Sequence, residues 1–99
     1  MSRIKESAFQ ALLISKIQNE FPDAIVLKND ANYKPGIPDL LILNRRNWGA
    51  LECKRDSKAS HRPGQDYYVH KMHLMSFARF IYPENSEEVL NELYRRLSY

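Results

Sequence analysis

Apolar residues recur along this chain at two different spacings, and each spacing predicts a type of element. Between Glu6 and Phe21 the apolar positions fall at three- and four-residue steps, which predicts an amphipathic helix. Pro22 ends this helix, because proline disfavours helical backbone in the residue before it. The apolar stripe of the helix consists of Phe9, Leu12, Leu13, Ile17 and Phe21. A similar stripe predicts a last helix and consists of Val89, Leu90, Leu93, Tyr94 and Leu97.

Shorter apolar runs without helical spacing predict β-strands. They lie at residues 24–27, 39–43, 49–53 and 77–82. The third and fourth runs flank a polar loop, and Pro63 within it suits the first turn of a helix that continues to about residue 75. Asn85, with Glu88 three positions later, predicts a capping box at the start of the last helix.

The resulting order, α-β-β-β-α-β-α, predicts an α/β domain. Its core is a small mixed β-sheet covered by helices on both faces. The 99 residues suffice for a single domain with one small core, so we expect residues 1–99 to form one unit.

The second and third strand runs carry the acidic residues that point to chemistry. Residues 44–47 form a polar set that suits a tight turn, with Asn44 paired to Asn47 and two arginines in the loop. This register places Asp39 directly opposite Glu52. Cross-strand partners have Cβ atoms about 4.5–5.5 Å apart, so the two carboxylates would repel each other. A bound Mg²⁺ or Mn²⁺ removes that repulsion, since hard cations prefer oxygen ligands.

Glu52 and Lys54 are two positions apart on the same predicted strand. Because side chains alternate along a strand, both project from one face, and Cys53 projects from the other into the core. The pair could form a solvated salt bridge on an exposed strand. The apolar neighbours instead predict a buried strand pair, where unpaired charge is costly. Two carboxylates and an ammonium group there predict a divalent-metal phosphodiesterase site.

At these residues the chain resembles a known family. The segments Gly36-Ile37-Pro38-Asp39-Leu40-Leu41 and Leu51-Glu52-Cys53-Lys54 are similar to the motif of the PD-(D/E)XK nuclease superfamily. Within it, the chain most resembles the small phage-type VRR-NUC and Holliday-junction-resolvase-like nucleases. The resemblance includes Glu6 on the first helix and Gln65 at the start of a later one, and it extends through residues 77–82.

This resemblance implies a restriction-endonuclease-like core and assigns further roles. Asp39, Glu52, the backbone carbonyl of Cys53 and, in assistance, Glu6 would bind Mg²⁺, for which Mn²⁺ can substitute. Gln65 would support Lys54 or the scissile phosphate. Hydrolysis would leave 5′-phosphate and 3′-hydroxyl ends. A homodimer is also implied, so that two sites cut two strands.

Two roles are open for Lys54. It can orient or deprotonate the attacking water, or it can stabilise the pentavalent phosphorane. An ammonium group stabilises negative charge without losing its proton, so we favour electrostatic stabilisation.

The charge of the chain is compatible with a nucleic-acid partner. The net charge of +3 is modest, so binding to DNA requires the basic residues to be concentrated. The candidate DNA-binding residues lie in predicted loops and are Lys28, Lys34, Arg55, Lys58, His61 and Arg62. Arg45 and Arg46 are further candidates. Tyr67 and Tyr68 offer either a stacking surface or core and dimer packing, and we favour packing.

The compartment follows from simple absences in the sequence. No apolar run is long enough to span a membrane, and no signal peptide is visible. The single cysteine cannot form an internal disulfide, which is typical of a reducing cytosol. We therefore expect no membrane partner and a location in the cytoplasm of a bacterium or of the host of a phage.

The sequence thus predicts a Mg²⁺-dependent DNA endonuclease that acts on structured or duplex DNA, as a phage-type nuclease, a resolvase or a homing-type enzyme. An alternative is a non-catalytic DNA-binding accessory module on a nuclease scaffold, against which the intact Asp39, Glu52 and Lys54 set argues. A third interpretation is an interaction domain with a chance motif. Dependence of cleavage on a divalent metal distinguishes among them.

Overall fold

The computed structural model describes residues 4–99, which form three helices and one four-stranded sheet. In chain order the elements are α1 (Glu6–Glu20), β1 (Ile25–Lys28), β2 (Leu40–Asn44), β3 (Asn47–Cys53), α2 (Gln65–Met75), β4 (Ala78–Ile81) and α3 (Ser86–Leu97). This is the predicted α-β-β-β-α-β-α order, so the α/β fold class is confirmed. None of the helices in these residues is long and apolar enough to cross a membrane.

The four strands lie side by side in the order β1-β2-β3-β4. The first three form an antiparallel meander, and β4 pairs parallel to β3 after the crossover through α2. Between β2 and β3, Asn44 pairs with Asn47 and Leu40 pairs with Leu51. The predicted hairpin register is therefore confirmed, and the mixed character of the sheet follows from the single crossover.

Helices cover both faces of the sheet, as predicted. On one face α1 and α3 form the main core, whose fully buried members include Leu13, Ile17, Leu51 and Leu93. On the other face α2 packs over β3 and β4, where Val69 contacts Ala50 and Ala78. Because successive β3 residues alternate between these faces, Leu51 and Cys53 enter the main core while Glu52 lies on the α2 side.

Two predictions about side chains on the helices are wrong. Leu12 is exposed, because the face of α1 that meets the sheet is set by Phe9, Leu13 and Ile17. Asn85 precedes α3 but its side chain does not cap the helix. Its Oδ1 accepts the N–H of Tyr82 at 2.9 Å, so the side chain is held in the preceding turn.

Element boundaries differ from the prediction by at most two residues. Lys28 is the last residue of β1 rather than the first residue of a loop, and Asp39 lies just before β2. The helix expected from Pro63 begins at Gln65. Gly64 has a φ of 88°, in the left-handed region that glycine adopts at no steric cost, so the helix cannot begin before it.

Candidate active site

The open end of the β2–β3 hairpin brings the two acidic residues together. Leu40 pairs with Leu51, so Asp39, one residue before β2, lies across from Glu52. The Oδ2 atom of Asp39 accepts the backbone N–H of Cys53 at 2.9 Å, which ties the carboxylate to β3. Glu52 is only 3% exposed. The structure therefore places both carboxylates in the positions that the register predicts.

The loop before β2 fixes the position of Asp39 on its other side. Asn29 donates its backbone N–H to the carbonyl of Asp39 and its side-chain amide to the carbonyl of Pro38, each at 2.8 Å. The side chain of Pro38 is itself fully buried. Asp39 is thus anchored by main chain on two sides, which is what a preorganised ligand or catalytic group requires.

Lys54 and Gln65 form a buried polar chain that ends on Glu52. The ammonium of Lys54 donates to Oε1 of Gln65 at 2.7 Å and to the carbonyl of Ser60 at 3.1 Å. The Gln65 amide donates to Oε2 of Glu52 at 3.1 Å. The Lys54 ammonium lies 4.0 Å from that same oxygen. Gln65 therefore connects the cation to the carboxylate and fixes the orientation of both.

The loop before α2 completes this network. The backbone N–H of Arg62 donates to Oε1 of Gln65 at 2.8 Å, so that oxygen accepts two hydrogen bonds. With donors on its oxygen and an acceptor beside its nitrogen, the Gln65 amide has one satisfactory orientation. Hydrogen bonds therefore connect Gln65 at the start of α2 with Lys54 after β3 and with the 54–64 loop.

The second oxygen of Glu52, Oε1, is buried and has no hydrogen-bond partner among the described residues. Burial and the charge of Asp39 raise the pKa of Glu52 to about 8, and the nearby Lys54 ammonium only partly opposes this. With both carboxylates ionised there is no proton for them to share, whereas a proton on Glu52 allows a hydrogen bond to Asp39. A buried acceptor without a donor costs about 1–3 kcal/mol, so this arrangement is unfavourable for the fold alone.

The donor set fits a divalent cation. A carboxylate oxygen without a donor, beside a second carboxylate, is the hard oxygen environment that Mg²⁺ and Mn²⁺ prefer. A cation there would favour the ionised form of Glu52 and satisfy the unpaired oxygen. Within residues 4–99 there is no group of three or more His, Cys, Asp or Glu side chains placed to hold a metal ion.

The other two predicted ligands come from Glu6 and Cys53. Glu6 begins α1, is exposed and faces the same cleft, and its charge contributes to the raised pKa of Glu52. The side chain of Cys53 is fully buried in the main core, as expected. Burial, together with the charge of Asp39, raises the pKa of the Cys53 thiol, which argues against a thiolate nucleophile.

A cleft of about 880 Å³ opens above these groups, between the loop before β2 and the 54–64 loop. Five residues predicted to bind metal or act in catalysis line it, namely Glu6, Asp39, Glu52, Lys54 and Gln65. The two loops touch at Gly36 and Gly64, where a Cβ on Gly36 would lie 2.8 Å from a Gly64 backbone atom. Both glycines have positive φ, so this contact depends on their lack of a side chain.

The predicted DNA-binding residues divide into two groups. Arg55 and Arg62 line the cleft, whereas Lys28, Lys34, Lys58 and His61 do not. The ring of His61 stacks on Phe80 with centroids 3.9 Å apart, and its Nδ1 hydrogen-bonds Asp66 at 2.7 Å.

Arg45 and Arg46 form the turn at the opposite end of the hairpin, so their predicted place around the site is wrong. The packing predicted for Tyr67 is also wrong with respect to the core, because this residue is 58% exposed.

Three contributors to the site are absent from the sequence prediction. They are the carbonyl of Ser60, the side chain of Asn29 and Lys5, which lines the cleft beside Glu6. A backbone acceptor such as the Ser60 carbonyl leaves no residue signature, whereas the short polar loop that contains Asn29 is a usable signal. Comparison with protein families, curated proteins and solved structures found no match to this chain.

Proposed function

We propose that this chain is a metal-dependent DNA endonuclease of the PD-(D/E)XK type, with Asp39, Glu52 and Lys54 at its active centre. The observation that carries the proposal is the buried Glu52 carboxylate, which lies against Asp39 with one oxygen lacking a donor. Strongly perturbed acids that line a cleft are typical of functional sites. An ammonium group 4.0 Å from the other oxygen completes the set expected for phosphodiester hydrolysis.

Asp39 and Glu52 would hold the metal, with the Cys53 carbonyl beside them and Glu6 on the facing wall. Bound there, Mg²⁺ or Mn²⁺ would supply Lewis-acid activation of a water molecule and neutralise charge on the phosphate. The hydrogen bond from Cys53 N–H to Asp39 keeps this carboxylate in place. The Gln65 amide does the same for Glu52, so little reorganisation is needed when the substrate arrives.

Lys54 would stabilise the negative charge that develops on the scissile phosphate. Gln65 and the Ser60 carbonyl accept hydrogen bonds from its ammonium group, which leaves one of its three N–H bonds for a phosphate oxygen. Its fixed position means that this donor is directed before the substrate binds. In-line attack by water would then leave a 5′-phosphate and a 3′-hydroxyl, and a homodimer would cut both strands.

The deciding experiment measures cleavage of labelled duplex, flap and four-way-junction DNA with Mg²⁺, with Mn²⁺ and with EDTA. We expect metal-dependent cleavage by the wild type and none by Asp39→Ala or Glu52→Ala. Glu88→Ala, which removes an exposed acid on α3, is the matched control and should cut normally. Circular dichroism and thermal unfolding would establish that the inactive variants are folded.

Two results would contradict the proposal. Cleavage that persists in Asp39→Ala or Glu52→Ala, in preparations free of contaminating nuclease, would remove these residues from the active centre. Binding of DNA by the wild type without cleavage under any metal condition would favour the DNA-binding accessory module.

A further inference from the structure

A row of two aromatic rings with a lysine at each end lies at the start of α2, beside residues that line the cleft. It consists of Lys34, Tyr68, Tyr67 and Lys71, which we call the tyrosine row. The Lys34 ammonium lies 5.9 Å from the ring centre of Tyr68, and the Lys71 ammonium 5.5 Å from that of Tyr67. The two tyrosine rings meet edge to face with centroids 5.1 Å apart. The row is therefore continuous.

The backbone holds this row next to the active centre. Tyr67 and Tyr68 lie in the first turn of α2, two and three positions after Gln65, which reaches Glu52. Three residues of helix advance only about 4.5 Å. From the other side, Lys34 directly precedes Pro35 and Gly36, which line the cleft. The Gly36–Gly64 contact fixes this loop against the start of α2, so Lys34 stays over Tyr68.

The exposure of these rings is unusual within this molecule. Among the described Phe, Tyr and Trp residues, only Tyr33, Tyr67 and Tyr99 are classed as exposed. Tyr67 is 58% exposed, and Tyr33, which precedes Lys34, is 85% exposed. Two of the three exposed rings therefore lie at or beside the tyrosine row. The Gln65 side chain faces the sheet, where it reaches Glu52. Tyr67 lies about 200° further around the helix axis, so its side chain points away from the sheet and stays exposed.

Exposed aromatic rings flanked by cations are suited to one class of ligand. Bases inside a duplex are stacked and present no face to a protein, so a duplex is held mainly through its phosphates. Unpaired bases can stack on tyrosine while lysine contacts the adjoining phosphates. We infer that the tyrosine row, with Tyr33, binds unpaired nucleotides and leads a single-stranded segment of the substrate into the cleft. This inference rests on the proposed nuclease function, since it assigns to the same site a substrate with a single-stranded part.

The test is a binding measurement that does not depend on cleavage. A fluorescent DNA hairpin with a blunt end and the same hairpin with a single-stranded tail are titrated with protein in EDTA, and anisotropy is recorded. For the wild type we expect tighter binding of the tailed hairpin. Tyr67→Ala should weaken binding of the tailed hairpin by about tenfold, as expected when one base stack is removed, and leave the blunt one nearly unchanged.

Two further variants separate stacking from other effects. Tyr67→Phe keeps the ring and should bind the tailed hairpin almost as the wild type does, although it lacks the hydroxyl that Lys71 contacts. Tyr99→Ala removes an exposed tyrosine outside the row and is the matched control, with no expected effect. Tyr33→Ala should act in the same direction as Tyr67→Ala, and its weaker binding should also be confined to the tailed hairpin.

The inference is overturned if the wild type shows no preference for the tailed hairpin, or if Tyr67→Ala weakens both hairpins equally. Its failure is separable from that of the proposed function. Metal-dependent cutting of blunt duplex DNA with tyrosine-independent binding would retain the nuclease and remove the tyrosine row as a binding site. Tyrosine-dependent binding of the tail by a chain that cuts nothing would retain the row and remove the nuclease.

Discussion

The two ends of the β2–β3 hairpin both bury polar side chains, but the hydrogen bonding of those side chains differs between the ends. At the turn end, Asn44 is buried and donates to the carbonyl of Leu97 at 2.8 Å, and Asn47 donates to the carbonyl of Tyr99. At the open end, Glu52 is buried beside a second acid, and its Oε1 has no donor within residues 4–99. Polar groups at the turn end hold α3 against the sheet. Those at the open end oppose folding when both acids are ionised and no further ligand is bound.

This contrast distinguishes residues that stabilise the fold from residues that we propose act in catalysis. Buried polar atoms in folded proteins nearly always have hydrogen-bond partners, so a buried atom without one requires a specific explanation. The exception here lies in a cleft and next to a fixed ammonium group, where the proposed cation and substrate would provide one. Changes at the open end should therefore affect chemistry more than stability, and changes at the turn end should do the reverse.

After the complete loss of cleavage expected for Asp39→Ala and Glu52→Ala, the largest effect is expected at Lys54. Lys54→Ala should lower kcat by about 10²–10³, the usual result of removing one preorganised donor to a transition state. Affinity for DNA should change much less, because the interaction is assigned to the transition state. Lys54→Arg should restore little activity, since a planar guanidinium cannot replace a compact ammonium between Gln65 and Ser60. Single-turnover cleavage rates and separate binding isotherms measure the two quantities.

The exposed Lys16, on α1 and outside the cleft lining, provides a matched control. Lys16→Ala removes the same charge without touching the buried network and should keep the wild-type cleavage rate. A Lys54→Ala variant that cuts at the wild-type rate but binds DNA more weakly would show that Lys54 is an ordinary phosphate contact.

Much of this contrast is readable in the sequence. The order of elements along the chain and the hairpin register follow from local patterns, namely apolar runs, alternation and a four-residue polar turn. Asp39, Glu52 and Lys54 lie on or directly beside the two strands that this register aligns, so their proximity needs no information from distant segments. The place of Arg45 and Arg46 also follows from the register, since a turn lies at the opposite end of a hairpin from its open end.

The rest depends on contacts that the spacing of residue types along the chain does not indicate. Nothing local in the 54–64 loop indicates that the Ser60 carbonyl returns to Lys54. The side chain of Asn85 has a favoured capping position but finds better partners in the turn before α3. The exposure of Leu12 depends on how α1 is rotated against the sheet. The spacing of apolar residues identifies the apolar face of a helix, but it does not show which edge of that face stays exposed to solvent.

The second effect concerns stability and pH in the absence of metal. Because the pKa of folded Glu52 is about 8 and its ordinary value is 4.5, the folded state keeps a proton that the unfolded state releases. The stabilising effect of this proton is fully present below pH 4.5 and is lost as the pH rises through 8. One pKa unit corresponds to about 1.4 kcal/mol, so the loss is on the order of a few kcal/mol.

Glu52→Gln should remove this dependence, because an amide does not ionise and can donate to Asp39. Denaturant unfolding in EDTA between pH 5 and 8.5 should then show a flatter profile for Glu52→Gln than for the wild type, and greater stability of the variant at high pH. Mg²⁺ should stabilise the wild type more than the variant. Parallel pH profiles for the two proteins would exclude Glu52 as the group that titrates.

Asn44→Ala is the control from the turn end. It leaves the buried carbonyl of Leu97 without its donor and should lower the free energy of unfolding by about 1–3 kcal/mol at every pH. Cleavage by the folded fraction should be unchanged. A variant that is stable but inactive would show that the turn end also contributes to chemistry.

The smallest effect is expected for the exposed arginines, which allow the two ends to be compared at equal charge. Arg55 and Arg62 line the cleft, whereas Arg45 and Arg46 form the distant turn. Replacing both cleft arginines by alanine should weaken binding to all sequences alike. It should reduce the slope of log K against log salt by about 0.9 for each phosphate that the protein no longer neutralises.

Replacing both turn arginines removes the same charge and should leave the slope unchanged. Because each double variant lowers the net charge equally, a difference between them reports the path of the DNA rather than the overall charge. The reverse result would show that the DNA lies over the turn end and that the cleft is approached from elsewhere.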